Sequence, residues 1–353
     1  MSTSVLTRVS GQVGHITLNR PEALHALNLD MCEAILTALT VWKHDPTVKA
    51  VLIDHADGSR GFCAGGDIVM LRNSGMDDAA EARAFFAEEY RMNAAIKSFP
   101  KPYVALMDGV TMGGGVGLSV HGTYRVATER TLFAMPETGI GLFPDVGGGW
   151  FLPRLDGELG TWLALTGARL KGGDVAQAGV ATHFTPSDGL ADLKTAILNA
   201  DYGETPDIVL QQILDAAHEP GPAASFADVQ SILDNCFAGD SAEAIVAALQ
   251  AEGSEWALKQ AQTIAEKSPE TVKVALRQVR EGAACETFED NMRMEYRIGW
   301  RKVQSPDFIE GVRAVVVDKD HAPKWMPDTL EAVSDAYIDQ YFEPLGDDEL
   351  TFD

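Results

Sequence analysis

The chain has no apolar run approaching the ~18–20 residues that span a bilayer, so no membrane-crossing helix is expected. Met1-Ser-Thr-Ser-Val-Leu6 lacks the basic stretch and apolar core of a secretory signal, which points to the cytoplasm, or to the mitochondrial matrix if a transit peptide has been removed. Cysteine is scarce. Cys32, Cys63, Cys236 and Cys285 are widely spaced with no CxxC pair, a pattern of reduced thiols rather than of disulfides or a zinc site. HExxH is missing and the eight histidines show no ligand spacing, so no metal is expected. Basic residues are few: 28 Lys and Arg against 52 Asp and Glu, a formal charge of −24, which argues against a nucleic-acid partner. The deficit is uneven, with residues 1–200 at −5 and residues 201–353 at −19. An anionic ligand is therefore better received by the first part of the chain.

What is present is a large potential core. Apolar residues make up 46% of 353, enough for one large domain and a smaller one. Val13–Asn19 reads as a strand, Leu29–Trp42 as an amphipathic helix capped by Asn28, and Val48–Ile53 as a second strand. This strand–helix–strand order predicts a partly parallel sheet. A glycine-rich turn at Gly61–Asp67 precedes a long helix over Asp78–Phe99, stopped by Pro100. Pro102–Met107 is a strand leading to Gly109 and the run Gly113-Gly-Gly115, with a helix expected over Val116–His121 and a strand at Tyr124–Ala127. Short helices are expected around Leu159–Leu165 and Asp174–Ala178. Composition shifts near residue 200: connectors at Asp201–Pro206 and Glu219–Pro222 lead into an acidic, glycine-poor, helical region from about Ala227.

Two carboxylates stand out. Glu137 and Asp145 lie among apolar residues and glycines in Phe133–Gly149, each directly after a proline and with no Lys or Arg within five residues. Acids fixed in such surroundings acquire raised pKa values suited to proton transfer near neutral pH. The ordinary alternative is a turn-rich segment whose acids cap helices. The upstream glycine run has several readings as well. A tight turn is one. A phosphate cradle is not, because GxxxxGK[ST] is absent and Gly115-Val-Gly117 meets Val120 where GxGxxG requires glycine. Gly117-Leu-Ser-Val-His-Gly122 has one residue too many for GxSxG, leaving Ser119 and His121 as helix residues. An oxyanion hole fits: amide N–H groups at a helix start, with a second donor from the turn Ala64-Gly65-Gly66. Two such donors and two carboxylates suit chemistry at an acyl or thioester carbonyl.

Phe62-Cys-Ala-Gly-Gly-Asp67, Gly109-Val-Thr-Met-Gly-Gly-Gly115 and Met135-Pro-Glu-Thr-Gly-Ile-Gly-Leu-Phe-Pro-Asp145 resemble the crotonase (enoyl-CoA hydratase/isomerase) superfamily. Glu88-Glu-Tyr90, Gly117–Gly122, Ala181-Thr-His-Phe184, Met294-Glu-Tyr296 and Glu310–Trp325 are similar to its 3-hydroxyisobutyryl-CoA hydrolase branch, so the resemblance covers nearly the whole chain. It implies an α/β fold, a crotonase-type spiral of ββα units over residues 1–200 holding the active site, with a helical C-terminal region over 201–353 covering it. It also implies that the N–H groups of Gly66 and Gly114 hold the thioester oxygen. Glu137 and Asp145 would be the acting carboxylates, Glu89 would lie beside the substrate, and the Ala64 region would meet the adenine of coenzyme A. Coenzyme A enters as part of the substrate, with no separate cofactor.

The chain departs from hydratases at two positions. Their first catalytic glutamate falls where this chain has Gly117, and Asp145 stands where they usually have glycine. The resemblance therefore implies hydrolysis of 3-hydroxyisobutyryl-CoA in valine breakdown, with Glu137 as nucleophile or general base and Asp145 on the substrate 3-hydroxyl. Hydration or isomerisation on the same fold, and a non-catalytic scaffold, are the alternatives. A homo-oligomer is compatible with the superfamily. Arg20 and the helical stripes Lys273/Arg277/Arg280 and Arg293/Arg297/Arg301 are read first as ion pairs on helix faces and second as contacts to the coenzyme A phosphates.

Overall fold

A computed structural model describes residues 3–352, which divide by their contacts into two compact units. Among the described residues the first comprises 3–66, 91–133 and 170–225, and the second 67–90, 134–169 and 226–352. The chain thus passes between the units several times instead of dividing once near residue 200, and Glu137 and Asp145 belong to the second unit with residues 226–353.

The first unit holds the sheets, all but Ala134 at the end of the eighth strand. Its strands are β1 (Val5–Ser10), β2 (Val13–Leu18), β3 (Ala50–His55), β4 (Gly61–Cys63), β5 (Tyr103–Met107), β6 (Val110–Met112), β7 (Tyr124–Ala127), β8 (Leu132–Ala134), β9 (Leu170–Lys171) and β10 (His183–Phe184). Among the described residues they form a six-stranded sheet, β1-β2-β3-β5-β7-β10, and a four-stranded sheet, β4-β6-β8-β9. Apart from the antiparallel hairpin β1–β2, the larger sheet is parallel. The pairs β3–β4, β5–β6 and β7–β8 each place one strand in the large sheet and the next in the small one, the ββα repeat expected of this sequence.

Period-two alternation builds the core. Ala50 and Leu52, Val104 and Leu106, and Val126 point to one face, where Leu193, Ile197, Leu210 and Leu214 from helices Leu190–Asn199 and Pro206–Ala217 cover them. Val51, Ile53 and Ala105, out of phase, are buried too, as in parallel sheets covered on both faces. The helix Leu29–His44 begins at Asn28, whose side chain accepts from the Met31 N–H as predicted. It lies close on β2: a Cβ on Gly14 would stand 2.4 Å from the Trp42 ring.

The second unit is helical. Helices beginning at Ala242, Glu255, Pro269, Phe288, Pro306 and Asp335 each follow a Ser or Thr whose side chain accepts a first-turn N–H. Each also carries an acid in its first turn, where it opposes the positive end of the helix dipole. Part of the C-terminal acidity is thus helix-start chemistry. The helix Asp335–Phe342 is tied down by a fully buried pair, Lys302 Nζ to Glu270 Oε1 at 2.6 Å, with the Tyr341 hydroxyl donating to the same oxygen at 2.5 Å.

Candidate active site

In the first unit, parallel strands β4 and β6 run side by side into glycine turns. A Cβ on Gly115 would lie 2.4 Å from the Cys63 carbonyl oxygen and one on Gly65 would lie 3.8 Å from the Gly114 nitrogen, so the two turns touch backbone to backbone. Gly65 and Gly113 both have positive φ, +118° and +47°. The helix after the run starts at Gly114, two residues before the position read from sequence, which leaves the Gly114 N–H at its open first turn. Peptide planarity sets the direction of both donors. The Gly65 carbonyl accepts from Leu27 N at 2.7 Å, so the Gly66 N–H of that trans peptide points the opposite way. The Gly113 carbonyl accepts from Val116 N at 2.7 Å along the helix, so the Gly114 N–H points out of its N-terminal end. Neither donates to an acceptor among the described residues. Two such N–H groups in touching turns can hold a developing oxyanion. Ala64 lies in the first of these turns.

In the second unit, Glu137 opens a short 3₁₀ turn, Glu137–Ile140, directly after Pro136. Helix Pro306–Val312 is packed against that turn so tightly that a Cβ on Gly311 would stand 2.4 Å from the Ile140 oxygen, and one on Gly141 2.3 Å from the Asp307 oxygen. The motif beginning at Glu310 is thus a buttress for Glu137, with Gly311 allowing the approach. Glu137 is 5% exposed, and its Oε2 has no hydrogen-bond partner. Asp145, also 5% exposed, accepts from the Tyr90 hydroxyl at 3.1 Å on Oδ2. Glu89, 2% exposed, leaves Oε1 unpartnered.

Burial, foremost, pushes all three carboxyls up; neighbouring acids add to it for Glu137 and Glu89, while the Tyr90 hydroxyl and a backbone hydrogen bond partly offset it for Asp145. Asp145 rises to about 7. Glu137 stands well above the usual carboxylate range through burial and then the charge of Asp145. Glu89 does so through burial and then Asp145, Glu137 and Glu295. No Lys or Arg among the described residues offsets any of these shifts. The structure therefore brings together Glu137, Asp145 and Glu89 as a desolvated acid cluster. Gly66, Gly114 and Ala64 belong to the first unit.

Four participants were not assigned from sequence: Glu295, Tyr90, Gln278 and Asn291. Glu295, fully buried, accepts from Gly147 N at 2.7 Å on Oε2 and from Gly149 N at 2.8 Å, Asn291 Nδ2 at 2.9 Å and Gln278 Nε2 at 3.0 Å on Oε1. Burial raises its carboxyl to about 8. The signal was present as an acid on an apolar stripe, Met292, Glu295 and Ile298, all buried and at helical spacing. The basic stripes prove to be ion-paired or bonded to carbonyls. Lys273 meets Glu243 at 2.5 Å, Arg277 meets Glu281 at 2.6 Å and Asp339 at 2.5 Å, and Arg280 meets Glu158 at 2.9 Å. Arg293 meets Asp290 at 2.8 Å and Arg297 meets Glu349 at 2.9 Å, while Arg301 donates to the Arg297 and Tyr341 carbonyls. Arg20 donates to the Ala26 carbonyl at 2.9 Å.

Residues 13–342 match the family profile described as enoyl-CoA hydratase/isomerase, and the chain belongs to that family. Within it, the chain is 48% identical to a mitochondrial 3-hydroxyisobutyryl-CoA hydrolase of Xenopus tropicalis, covering 97% of this chain and 89% of that protein. Among solved structures it is similar to a carnitinyl-CoA dehydratase of Mycobacterium thermoresistibile, with TM-score 0.92 and 42% identity over 99% of both chains. An enoyl-CoA hydratase of Rhodobacter sphaeroides 2.4.1 gives TM-score 0.90 and 39% identity over 99% of this chain and 100% of that one.

Proposed function

We propose that the chain hydrolyses short 3-hydroxyacyl-CoA thioesters, with 3-hydroxyisobutyryl-CoA as the favoured substrate, releasing 3-hydroxyisobutyrate and free coenzyme A. The observation that carries this reading is the pair Glu137 and Asp145, buried, mutually repelling and without a neutralising cation among the described residues. The name borne by curated relatives at 44–48% identity supports the same substrate and a place in valine breakdown. Those names also carry the word mitochondrial, which supports a matrix location over a cytoplasmic one.

In the proposed reaction the thioester oxygen accepts from the Gly66 and Gly114 N–H groups, which polarises the carbonyl. The ionised Glu137 attacks the carbonyl carbon and the C–S bond breaks. The thiolate leaves as free thiol after taking a proton, and water then hydrolyses the mixed anhydride. In the general-base variant Glu137 takes a proton from water, whose oxygen attacks the carbonyl carbon directly; the C–S bond then breaks and Glu137 returns the proton to the leaving thiolate. A carboxyl raised by burial is the more basic and nucleophilic once ionised, which suits either role. Asp145 accepts from the 3-hydroxyl and, near 7, exchanges protons at neutral pH.

The two solved relatives named for hydration and dehydration favour a second reading, reversible hydration of an enoyl thioester. Against it stands Gly117, buried and without a side chain in the first turns after the glycine run, where that chemistry uses an acid. The deciding experiment presents the purified protein with 3-hydroxyisobutyryl-CoA and crotonyl-CoA in parallel. Thiol release from the first with no loss of the conjugated absorbance of the second is expected. The reverse result refutes the hydrolase reading.

A further inference from the structure

Asp145 sits in a loop that elementary conformational preference resists. Val146, a β-branched residue, has φ +52°, and Gly147 follows at +87°. The ends of this irregular segment are held by side chains of two long helices, Pro269–Ala284 and Phe288–Lys302. Before Asp145, Gln278 Nε2 donates to the Pro144 carbonyl at 2.7 Å. After it, Glu295 takes the Gly147 and Gly149 N–H groups, one on each oxygen. The same Gln278 amide reaches Glu295 Oε1, so the ties on either side of Asp145 join at one carboxyl group. Helix 269–284 also closes on the loop directly, since a Cβ on Gly282 would stand 2.0 Å from the Gly149 oxygen. The Gly147 and Gly149 amides are therefore already occupied by the Glu295 carboxyl and that of Gly148 by the Asp145 carbonyl at 2.8 Å, and the glycine run serves to fix Asp145 instead of receiving a ligand.

We infer that Glu295 is a positioning residue for Asp145, holding its carboxylate where it reads the 3-hydroxyl of the acyl group. This rests on the proposed role of Asp145 in hydrolysis and adds to it a residue that determines specificity without touching the substrate. Four N–H donors converge on Glu295, whereas Asp145 has the Tyr90 hydroxyl. Rigidity comes from the first group and chemistry from the second. The groups facing this part of the cluster are Asp145, Glu89 and Tyr90, with the amides of Asn291 and Gln278. N–H donors meet both oxygens of Glu295, whereas an amide at position 295 offers one acceptor oxygen, so either the Gly147 or the Gly149 N–H loses its partner and the loop relaxes.

The test compares kcat/KM for 3-hydroxyisobutyryl-CoA with that for isobutyryl-CoA, which lacks the hydroxyl, in wild type, Glu295→Gln, Asp145→Asn and the double variant. The expected result is a wild-type preference for the hydroxylated thioester that falls about 10- to 100-fold in Glu295→Gln, the scale of an ångström-sized misplacement. The double variant is expected to be no worse than Asp145→Asn alone, because both changes remove one function. Thermal melting accompanies each assay, and a purely structural role would lower the melting temperature and leave the preference of the folded fraction intact. If Glu295→Gln does not fold, Gln278→Met, which cuts the Pro144 tie and one bond to Glu295, is put through the same comparison. A wild-type preference that survives in the folded variant, or losses that add in full, overturns the inference alone. A wild type with no preference overturns the assigned role of Asp145 and this inference with it.

Discussion

Gly311→Ala puts the buttress behind Glu137 to a test in which two physical rules predict opposite signs. Gly311 lies in helix Pro306–Val312, and replacing glycine by alanine inside a helix ordinarily stabilises by about 1 kcal/mol. Here the added Cβ would lie 2.4 Å from both the carbonyl carbon and the oxygen of Ile140, and 2.7 Å from its Cα. Carbon contacts settle near ~3.5 Å, so the helix and the Glu137 turn must part by about 1 Å. The obstacle is backbone, with no flexible side chain to swing aside. Overpacking of this kind costs roughly 1–3 kcal/mol, enough to cancel or reverse the gain in helix propensity. The larger effect falls on chemistry, because a reacting group displaced by about 1 Å loses on the order of 100-fold in rate. Thermal melting and thiol release from 3-hydroxyisobutyryl-CoA are measured on the same preparation. The expected outcome is a melting temperature unchanged or lowered by a few degrees, with turnover down at least ~10-fold. A stabilised variant with wild-type turnover would refute both the close approach and its link to Glu137.

Glu137→Gln should lose at least ~100-fold in turnover while melting no lower than wild type, since it removes a buried, unneutralised carboxyl; near wild-type thiol release sinks the assignment. The raised pKa of Asp145 makes a signed prediction. Its folded value of about 7 exceeds an unfolded value near ~3.9, so the stability it contributes is full below about 4 and is lost as pH rises through 7. Urea unfolding of Asp145→Asn and wild type across pH 4–8 should therefore show the variant gaining on wild type with rising pH, by a few kcal/mol in order of magnitude; a constant gap contradicts the shift. Lys302→Met should destabilise by roughly 3–5 kcal/mol by leaving Glu270 buried without its cation, and Lys302→Met with Glu270→Met should recover much of the loss in the same urea assay.

Much of this arrangement was legible because elementary patterns carried it. The strand readings at Val13–Asn19, Pro102–Met107 and Tyr124–Ala127 fall on β2, β5 and β7, the Asn28 cap fixed one helix start, and two acids among apolar neighbours marked Glu137 and Asp145. What escaped notice lacks such patterns. Strands β4, β6, β8, β9 and β10 have two or three residues each, too few for any period to register. The helix start at Gly114 escaped because a glycine run has no side chains to cap with or to show a face. Glu295 lies within a legible motif, but its role is not legible there, because the loop amides it holds are nearly 150 positions away. Nor does composition reveal the two units, since the chain enters each more than once.

The acid cluster and the glycines around it belong to one physical argument. Four buried carboxyls without a cation to neutralise them among the described residues destabilise the fold that holds them, as the upward shift of every one records. Such a group persists only if its frame is over-determined, because a loose frame would open and admit water. Here the frame consists of backbone pressed on backbone: Gly311 on Ile140, Gly141 on Asp307 and Gly282 on Gly149. Gly282 and Gly311 lie in helices, where glycine is a poor choice on propensity alone. Their presence is explained by what they allow the neighbouring turn to do. Glu137 and Asp145 thus sit on turns clamped by helices, with the precision of regular structure and the reach of loops. That combination keeps Glu137 and Asp145 both desolvated and fixed, which a proton-handling pair requires.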